Sequence, residues 1–258
     1  MKLPGSLALR VGRRLPPSAR RLVNLARGID MPALVDRPPA SSVAVLAPHP
    51  DDEVLGCGGT IQKHLAAGEQ VRVVLLTSGE RTASFTGQGT ASSRSQREAE
   101  AVAAAADLGL GEDDLDFLHL PDGGVGPDGA AALRDALRRS GADLVYAPNP
   151  VDAHRDHVAT TRLLGDLLDD LPAVRRVALY EVWTPVHPNT VVDVTAQLET
   201  SVRAIERYAS ATAVVDYVHT LRGLAAYRSG HGLHGRGYAE AFLVLERAPF
   251  LGLLAALD

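Results

Sequence analysis

The sequence predicts a three-layer, Rossmann-like α/β fold with a mostly parallel sheet and helices on both faces. Five short apolar runs have the composition of strands: SVAVLA, VRVVLLT, LDFLHL, DLVYA and RVALYEV. The segments between them have helix-forming composition, and several end in glycine: VLGCGGTIQKHLAAG, SSRSQREAEAVAAAADLG, GAAALRDALRRSG and DHVATTRLLGDLLDDL. Because strands and helices alternate, neighbouring strands should run parallel.

The composition fits one main domain. The chain has 258 residues, of which 46% are apolar and 22% charged, so it is long enough to bury a sizeable core. Its single cysteine, Cys57, excludes an internal disulfide and a thiolate-rich zinc knuckle, and it suits a reducing cytoplasm. Any metal site must therefore use histidines and carboxylates.

Charge divides the chain into a basic extension, residues 1–40, and an acidic body, residues 41–258. The extension carries eight Lys or Arg against two Asp, whereas the whole chain has a net charge of −5. An acidic body argues against a nucleic-acid surface, since phosphate binding needs a basic face. The segment RPPASS separates the two parts.

The extension lacks an apolar run of signal-peptide length, so we expect neither secretion nor twin-arginine export. SARRLVNLARGID is typical of a short basic amphipathic helix. Docking on its own body through Leu22, Leu25 and Ala26 is favoured over contact with an anionic membrane surface. No stretch is long enough to span a bilayer.

Histidines and acids follow two of the predicted strands. His49 and Asp52 have an H-x-x-D spacing, and His154 and His157 have an H-x-x-H spacing. The carboxyl ends of parallel strands meet at one edge of a sheet, where ligands bind. Two ligands from one loop and one from the other would make a three-ligand site with a position open for water, suited to zinc or a similar divalent ion.

The remaining acids near these histidines are available as a proton acceptor or as partners that orient the imidazoles: Asp51, Glu53, Asp152 and Asp156. A histidine at a helix start is more often a cap or a surface residue, so either pair alone would be weak. Two pairs that each follow a predicted strand are stronger, and together they predict a metal site.

The motifs HPDDEVLGCGGTI, LLTSGE, LPDGG, DAHRDH, YEVWTPVHPNTVVDVTAQLE and YAEAF resemble those of the PIG-L (LmbE-like) family. Members of that family are zinc-dependent deacetylases that act on N-acetylglucosaminyl compounds. The resemblance runs from about Val43 to Glu246 and omits the extension. It departs from the family at Arg155, where the family has a proline, and no tyrosine adjoins the two histidine motifs.

The resemblance implies that His49, Asp52 and His157 are the zinc ligands and that Asp51 is the general base. It further implies that His154 stabilises the oxyanion or protonates the leaving amine. Asp152 would orient one of the histidines.

The segment at residues 78–98 is polar and rich in glycine, and it follows the second predicted strand. It is interpreted either as a mobile lid over the site or as a plain solvated loop. The lid would offer Glu80, Arg81, Arg94 and Arg97 to the substrate. Asp122 in the LPDGG motif would bind sugar hydroxyls or simply serve the turn.

Glycines 56, 58 and 59 lack the spacing of a phosphate-binding loop, so close packing of a helix on the sheet is the better interpretation. Cys57 among them is expected to pack in the core.

The leading hypothesis is a cytoplasmic, zinc-dependent N-deacetylase of an acetamido sugar or its conjugate. Two alternatives remain open. The first is a zinc amidase that cleaves another amide, such as a thiol conjugate or a peptide-like bond. The second is a sugar-binding module without turnover, which would require a lost ligand or base.

Overall fold

A computed structural model describes residues 32–82, 84, 87 and 89–257. The amphipathic segment of the basic extension lies outside these residues. Within the described part, eight strands form one sheet: β1 Ala33–Val35, β2 Ser42–Ala47, β3 Gln70–Thr77, β4 Leu115–Leu120, β5 Leu144–Pro148, β6 Arg176–Tyr180, β7 Thr190–Asp193 and β8 Ala239–Glu246. The five strands expected from the sequence are all present.

The sheet has the order β1-β7-β8-β6-β5-β2-β3-β4 and is mostly parallel, as predicted. Strand β8 is the exception, since it runs antiparallel to both β6 and β7. The chain leaves β2 toward β3 and β4 on one side, and later returns to β5 and β6 on the other. The order therefore reverses between β2 and β5, the point where ligands bind in open α/β sheets.

Helices cover both faces of the sheet. They are α1 Asp52–Ala66, α2 Thr90–Leu108, α3 Ala130–Ser140, α4 Arg155–Leu167, α5 Leu198–Arg207, α6 Ala209–Thr212, α7 Tyr217–Arg228 and α8 Arg247–Ala255. Strand β2 shows how the layers form. Val43 and Val45 join a core with residues of α1, α2 and α5, whereas Ala44 and Leu46 join a core with residues of α3, α4 and α8. Alternate side chains of a strand point to opposite faces, so a fully apolar strand is buried on both.

Close packing of α1 on the sheet explains its glycines. A Cβ atom at Gly56 would collide with the ring of Tyr180, and one at Gly59 would collide with Val194. Cys57 is fully buried in the same core. The sequence-based interpretation of these residues as packing positions is confirmed.

The compact unit starts at Ala33, eight residues before the boundary expected from the Pro/Ser-rich joint. Residues of β1 pair in parallel with β7, from Ala33 with Thr190 to Val35 with Val192. Arg37 also forms an ion pair with Glu69 at 2.8 Å. Residues 33–40 thus belong to the main unit. None of the described helices is both long and apolar enough to cross a membrane.

Candidate active site

Two loops at the carboxyl ends of β2 and β5 form the centre of the site. The first carries His49 and Asp51 and leads into Asp52, the first residue of α1, and the second carries Asp152 and His154. Their parent strands are neighbours in the sheet. The sequence separates the two loops by about a hundred residues, and the sheet brings them together.

The first loop turns sharply into α1 at Asp51, whose backbone has φ 120° and ψ −28°. A positive φ is uncommon for a residue other than glycine and is costly unless its surroundings hold it. Val54 and Leu55 donate backbone hydrogen bonds to the Asp51 carbonyl at 3.1 and 3.0 Å. The turn therefore fixes the directions in which the two neighbouring aspartates point.

Asp52 lies between two imidazoles. Its Oδ2 atom is 3.2 Å from Nδ1 of His49 and 3.2 Å from Nε2 of His157. Burial alone would raise the pKa of Asp52, but the two histidines hold it well below its ordinary value. Burial opposes charge on His157 as well, yet Asp52 and Asp152 raise the pKa of that imidazole to about 9.

The outer nitrogen of each imidazole faces another carboxylate. Nε2 of His49 is 3.3 Å from Oδ2 of Asp156 and 3.6 Å from Oδ1 of Asp122. Nδ1 of His157 is 3.4 Å from Oδ1 of Asp152. Histidines that bind metals commonly have this arrangement, because the outer carboxylate fixes the ring and its tautomer.

The side chains fit a divalent metal. Ligand atoms of His49, His154 and His157 all lie within 4.8 Å of one another, and so do those of His49, Asp122 and Asp156. Both ring nitrogens of His157 are buried without a hydrogen-bond partner among the described residues, although carboxylates lie at ion-pair distance. The carboxylate oxygens are near but not aligned with the ring. A cation held by Nε2 and by Asp52 would satisfy the imidazole, and this donor set suits zinc.

Asp51 points into the same cavity but has a different partner. Its Oδ2 atom accepts a hydrogen bond from Arg97 at 3.0 Å. Burial raises the pKa of Asp51 to about 6, against the opposing charge of Arg97. Neighbouring aspartates thus occupy two distinct environments.

Arg97 lies elsewhere than expected. It belongs to α2 instead of a mobile lid, and it is only 2% exposed. Its guanidinium donates to the carbonyl of Pro50 as well as to Asp51, and it lies 5.5 Å above the ring of Tyr208. A buried arginine must pair its charge, and Asp51 is the carboxylate within reach. Arg97 therefore belongs to a helix and not to a mobile lid, and its side chain lines the catalytic cavity.

Other residues of the segment from Ser78 to Glu98 contact one another and Asp122. Arg81 lines the cavity, and its backbone N–H donates to Asp122 at 2.9 Å. Glu80 is buried, accepts from the Asp122 N–H at 3.2 Å and lies 3.5 Å from Arg94. Residues 83, 85, 86 and 88 lie outside the described part of the chain. Glu80 therefore holds the backbone of Asp122 in place, and Arg94 pairs with Glu80.

His154 caps the start of α4 and lines the cavity. Its Nδ1 atom accepts the backbone N–H of Asp156 at 3.3 Å. The neutral ring must then carry its proton on Nε2. Burial and the nearby His49 and His157 lower the pKa of His154, which favours the neutral form.

Glu53 lies behind the site. Its carboxylate accepts the backbone N–H of Asp51 at 3.1 Å and a hydrogen bond from the Tyr208 hydroxyl. Burial raises the pKa of Glu53 to about 7. It supports the strained turn and does not line the cavity.

The cavity has a volume of about 510 Å³ and an apolar wall that the sequence did not reveal. Trp183, Val214, Val215 and Tyr217 contribute that wall. Burial and the charges of Asp51 and Asp52 raise the pKa of Tyr217, so its hydroxyl stays protonated. The motifs could not reveal Tyr217, because it lies 60 residues beyond His157 in the sequence and reaches the cavity at the start of α7.

A family model described as GlcNAc-PI de-N-acetylase, PIG-L, matches residues 44–168. No curated protein matches the chain. Among solved structures, a conserved protein of Thermus thermophilus is 32% identical with a TM-score of 0.67, over 78% of this chain and 93% of that one.

Two further structures share the fold. N,N'-diacetylchitobiose deacetylase of Pyrococcus horikoshii is 24% identical with a TM-score of 0.71, over 91% of this chain and 95% of its own. The 4-carboxy-2-hydroxymuconate hydratase of Pseudomonas putida is 23% identical with a TM-score of 0.66, over 80% and 96%. With both histidine motifs inside the matched region and a 32% identical structure aligned over most of its length, the chain belongs to the PIG-L family.

Proposed function

We propose that this protein is a zinc-dependent N-deacetylase that removes the acetyl group from an N-acetylglucosamine-type sugar or its conjugate. One observation carries the proposal: Asp52 lies between His49 and His157, while Asp51 pairs with Arg97 and lines the same cavity. These positions support a metal-binding role for Asp52 and a proton-accepting role for Asp51. The family description and the chitobiose deacetylase with the same fold support this reaction class.

The proposed zinc ligands are His49, Asp52 and His157. Asp156 and Asp152 would orient the two imidazoles through their outer nitrogens. When bound, the ion supplies a Lewis acid for the amide carbonyl and lowers the pKa of a water ligand toward ~7. His49, His154 and His157 form an alternative ligand set. Metal analysis of Asp52 variants distinguishes this set from the one that contains Asp52.

Asp51 is the proposed general base. It accepts the proton of the water that attacks the amide carbon. Its pKa of about 6 leaves it ionised at neutral pH and close enough to that pH to exchange protons efficiently. Arg97 keeps the carboxylate aimed at the cavity.

His154 is proposed to serve the oxygen and nitrogen of the reacting amide. Because its proton is on Nε2, the ring can donate to the carbonyl oxygen as negative charge develops. The carbon–nitrogen bond then breaks as the leaving nitrogen takes the proton that Asp51 received from the water, and acetate and a free amino sugar leave. Asp51 returns to its ionised form.

Sugar hydroxyls are proposed to bind Arg81 and Asp122 on the polar wall. Asp122 is fixed for this by the Arg81 N–H, and its own N–H is held by Glu80. The single cysteine, buried and free, fits the reducing cytoplasm in which we expect the enzyme to act.

Release of acetate tests the proposal. N-acetylglucosamine, N,N'-diacetylchitobiose, an acetylated thiol conjugate and an acetylated peptide are incubated with native, chelator-treated and zinc-restored protein. We expect acetate from the sugars, loss of activity on chelation and recovery with zinc. Activity that survives complete metal removal would contradict the metal role, and release from the peptide or thiol conjugate alone would favour the other zinc amidase.

The hydratase among the structures with this fold makes the product analysis necessary, since a fold does not fix a reaction. Mass spectrometry of the sugar distinguishes the two outcomes. Loss of an acetyl group supports the proposal, whereas intact sugars together with addition of water to an unsaturated acid such as a muconate would overturn it.

A further inference from the structure

A second cavity of about 170 Å³, here called the apolar recess, adjoins the catalytic cavity. It shares Trp183 and Tyr217 with that cavity. The other residues of its wall are chiefly Leu55, Pro185, Leu221 and Leu224. The two cavities therefore meet at these two aromatic rings.

The recess carries no uncompensated charge among its described lining residues. Glu181 is the one acidic group there, and it is 3% exposed. Arg228 pairs with it through a hydrogen bond of 2.9 Å from Nε, and the Val186 N–H donates to it at 2.7 Å. Since its charge is already satisfied, Glu181 does not require a cationic ligand.

The size of the recess suits a small apolar group. An apolar cavity of ~150 Å³ in a protein takes up benzene. The recess is of similar volume, and Trp183 and Tyr217, whose rings meet edge to face at 6.2 Å, line it beside the catalytic cavity. Trp183 is 49% exposed, so a ligand there would cover an aromatic surface that now faces solvent.

The catalytic cavity has the opposite character on its other wall, where Arg81 and Asp122 offer polar contacts. A simple sugar would use that wall and leave the recess unused. A sugar that carries an apolar substituent would use both. The two-sided lining therefore distinguishes between classes of acetamido sugar.

We propose that the natural substrate is an acetamido glycoside whose aglycone is apolar and about the size of one ring or a short branched alkyl group. The aglycone binds in the apolar recess between Trp183 and Leu224. This proposal rests on the proposed deacetylase function, which it refines by naming the substrate class.

Trp183 provides a direct test, because it is the only tryptophan of the chain. The methyl and phenyl glycosides of N-acetylglucosamine, in both anomeric forms, are titrated against the full-length protein while Trp183 emission is followed. We expect one phenyl glycoside to change the emission and to bind about 10- to 100-fold more tightly than its methyl counterpart, as burial of a ring predicts. Equal binding of the methyl and phenyl glycosides would overturn the proposal.

Binding and turnover separate the two proposals. If neither glycoside releases acetate, the deacetylase function fails. The emission measurement still reports whether the recess takes the aglycone. If both release acetate at equal kcat/KM and bind equally, the function stands and the aglycone proposal fails.

A variant pair locates the effect. Leu224→Asp places a charge in the recess, whereas Ala226→Asp adds the same charge on an exposed position of the same helix. We expect Leu224→Asp to bring the phenyl-to-methyl ratio of kcat/KM close to one, and Ala226→Asp to leave it unchanged. Leu224→Phe, which fills the recess without a charge, should also reduce the ratio.

The recess could instead bind the acyl chain of the substrate, and the enzyme would then prefer longer N-acyl groups. N-hexanoylglucosamine is therefore compared with N-acetylglucosamine in the same variants. A hexanoyl preference that Leu224→Asp abolishes would assign the recess to the acyl chain and overturn the aglycone proposal.

Discussion

The two halves of the main unit contribute different walls to the same cavity. Residues 44–168, the part matched by the family model, contribute the acids and histidines: His49, Asp51, Asp52, Asp122 and His154. Residues beyond β6 contribute Trp183, Val214, Val215 and Tyr217. Reactive groups thus lie on loops that follow parallel strands, and the apolar surface comes from the later loop and helices.

We expect reaction chemistry and substrate choice to depend on different halves of the main unit. In the proposed mechanism, substitutions of His49, Asp51, Asp52 or His154 should change kcat, because these side chains would act on the reacting amide. Substitutions in the second half should change the affinity for the remainder of the substrate.

The largest effect is expected at the two aspartates of the first half. Asp51→Asn keeps the ligands but cannot accept a proton, so kcat should fall about 10²–10⁴-fold with metal content near that of wild type. Asp52→Ala should leave the purified protein metal-poor as well as inactive. Metal analysis beside kinetics checks both.

A metal-poor Asp51→Asn together with a metal-loaded Asp52→Ala would exchange the proposed roles of the two aspartates. Full loading of both variants would remove Asp52 from the proposed ligand set and favour the three histidines.

Glu240 tests how the halves are joined. This glutamate of β8 is buried, and it accepts the backbone N–H groups of Gly59 and Thr60 in α1 at 2.7 and 2.9 Å. Burial raises the pKa of Glu240 to about 7 from its ordinary value of 4.5. The folded state therefore binds the proton more tightly than the unfolded state, and stability is lost as the pH rises from about 4.5 to 7.

Between pH 4.5 and 8, wild type should lose up to about 3 kcal/mol of unfolding free energy that Glu240→Gln does not lose. Chemical denaturation at the two pH values measures the difference. Glu246→Gln, at the exposed end of the same strand, is the control and should follow wild type. Parallel pH profiles for wild type and Glu240→Gln would show that Glu240 stays ionised in the folded protein.

Arg97 tests whether a residue of the first half acts on the base. Arg97→Ala leaves Asp51 without its cation and free to turn, so kcat should fall about 10- to 100-fold with KM little changed. Arg97→Lys keeps the charge and should recover part of the loss.

Arg94→Ala is the matched control on the same helix, because Arg94 contacts Glu80 and is more exposed. Its kcat should stay within about twofold of wild type, as expected for an exposed ion pair. An increase in KM alone for Arg97→Ala would instead make Arg97 a substrate-binding residue.

The smallest effect is expected outside both halves. Removal of residues 1–31 keeps β1 and its pairing with β7, so kcat/KM should be unchanged within experimental error. A variant that begins at Ser41 also loses β1 and the Arg37–Glu69 ion pair, and it should unfold at a lower temperature. A folded 32–258 protein without turnover would assign the extension to the site.

The sequence by itself determined the α/β class, five strands and the residues of both histidine motifs. Local patterns suffice for these features: β-branched runs such as residues 42–47 form strands, and the acids of residues 49–53 follow one of them. Gly56 and Cys57 could also be interpreted from composition, since small residues permit a helix to approach a sheet.

Only the tertiary structure decided that Asp51 and Asp52 have different partners, which their spacing in the sequence leaves open. The positive φ at Asp51 turns one carboxylate toward Arg97 and the other toward two imidazoles. The tertiary structure also decided that Arg97 is buried, and that Trp183 and Tyr217 line the cavity. These contacts join residues that lie tens of positions apart, and sequence patterns report neighbours along the chain, not across a sheet.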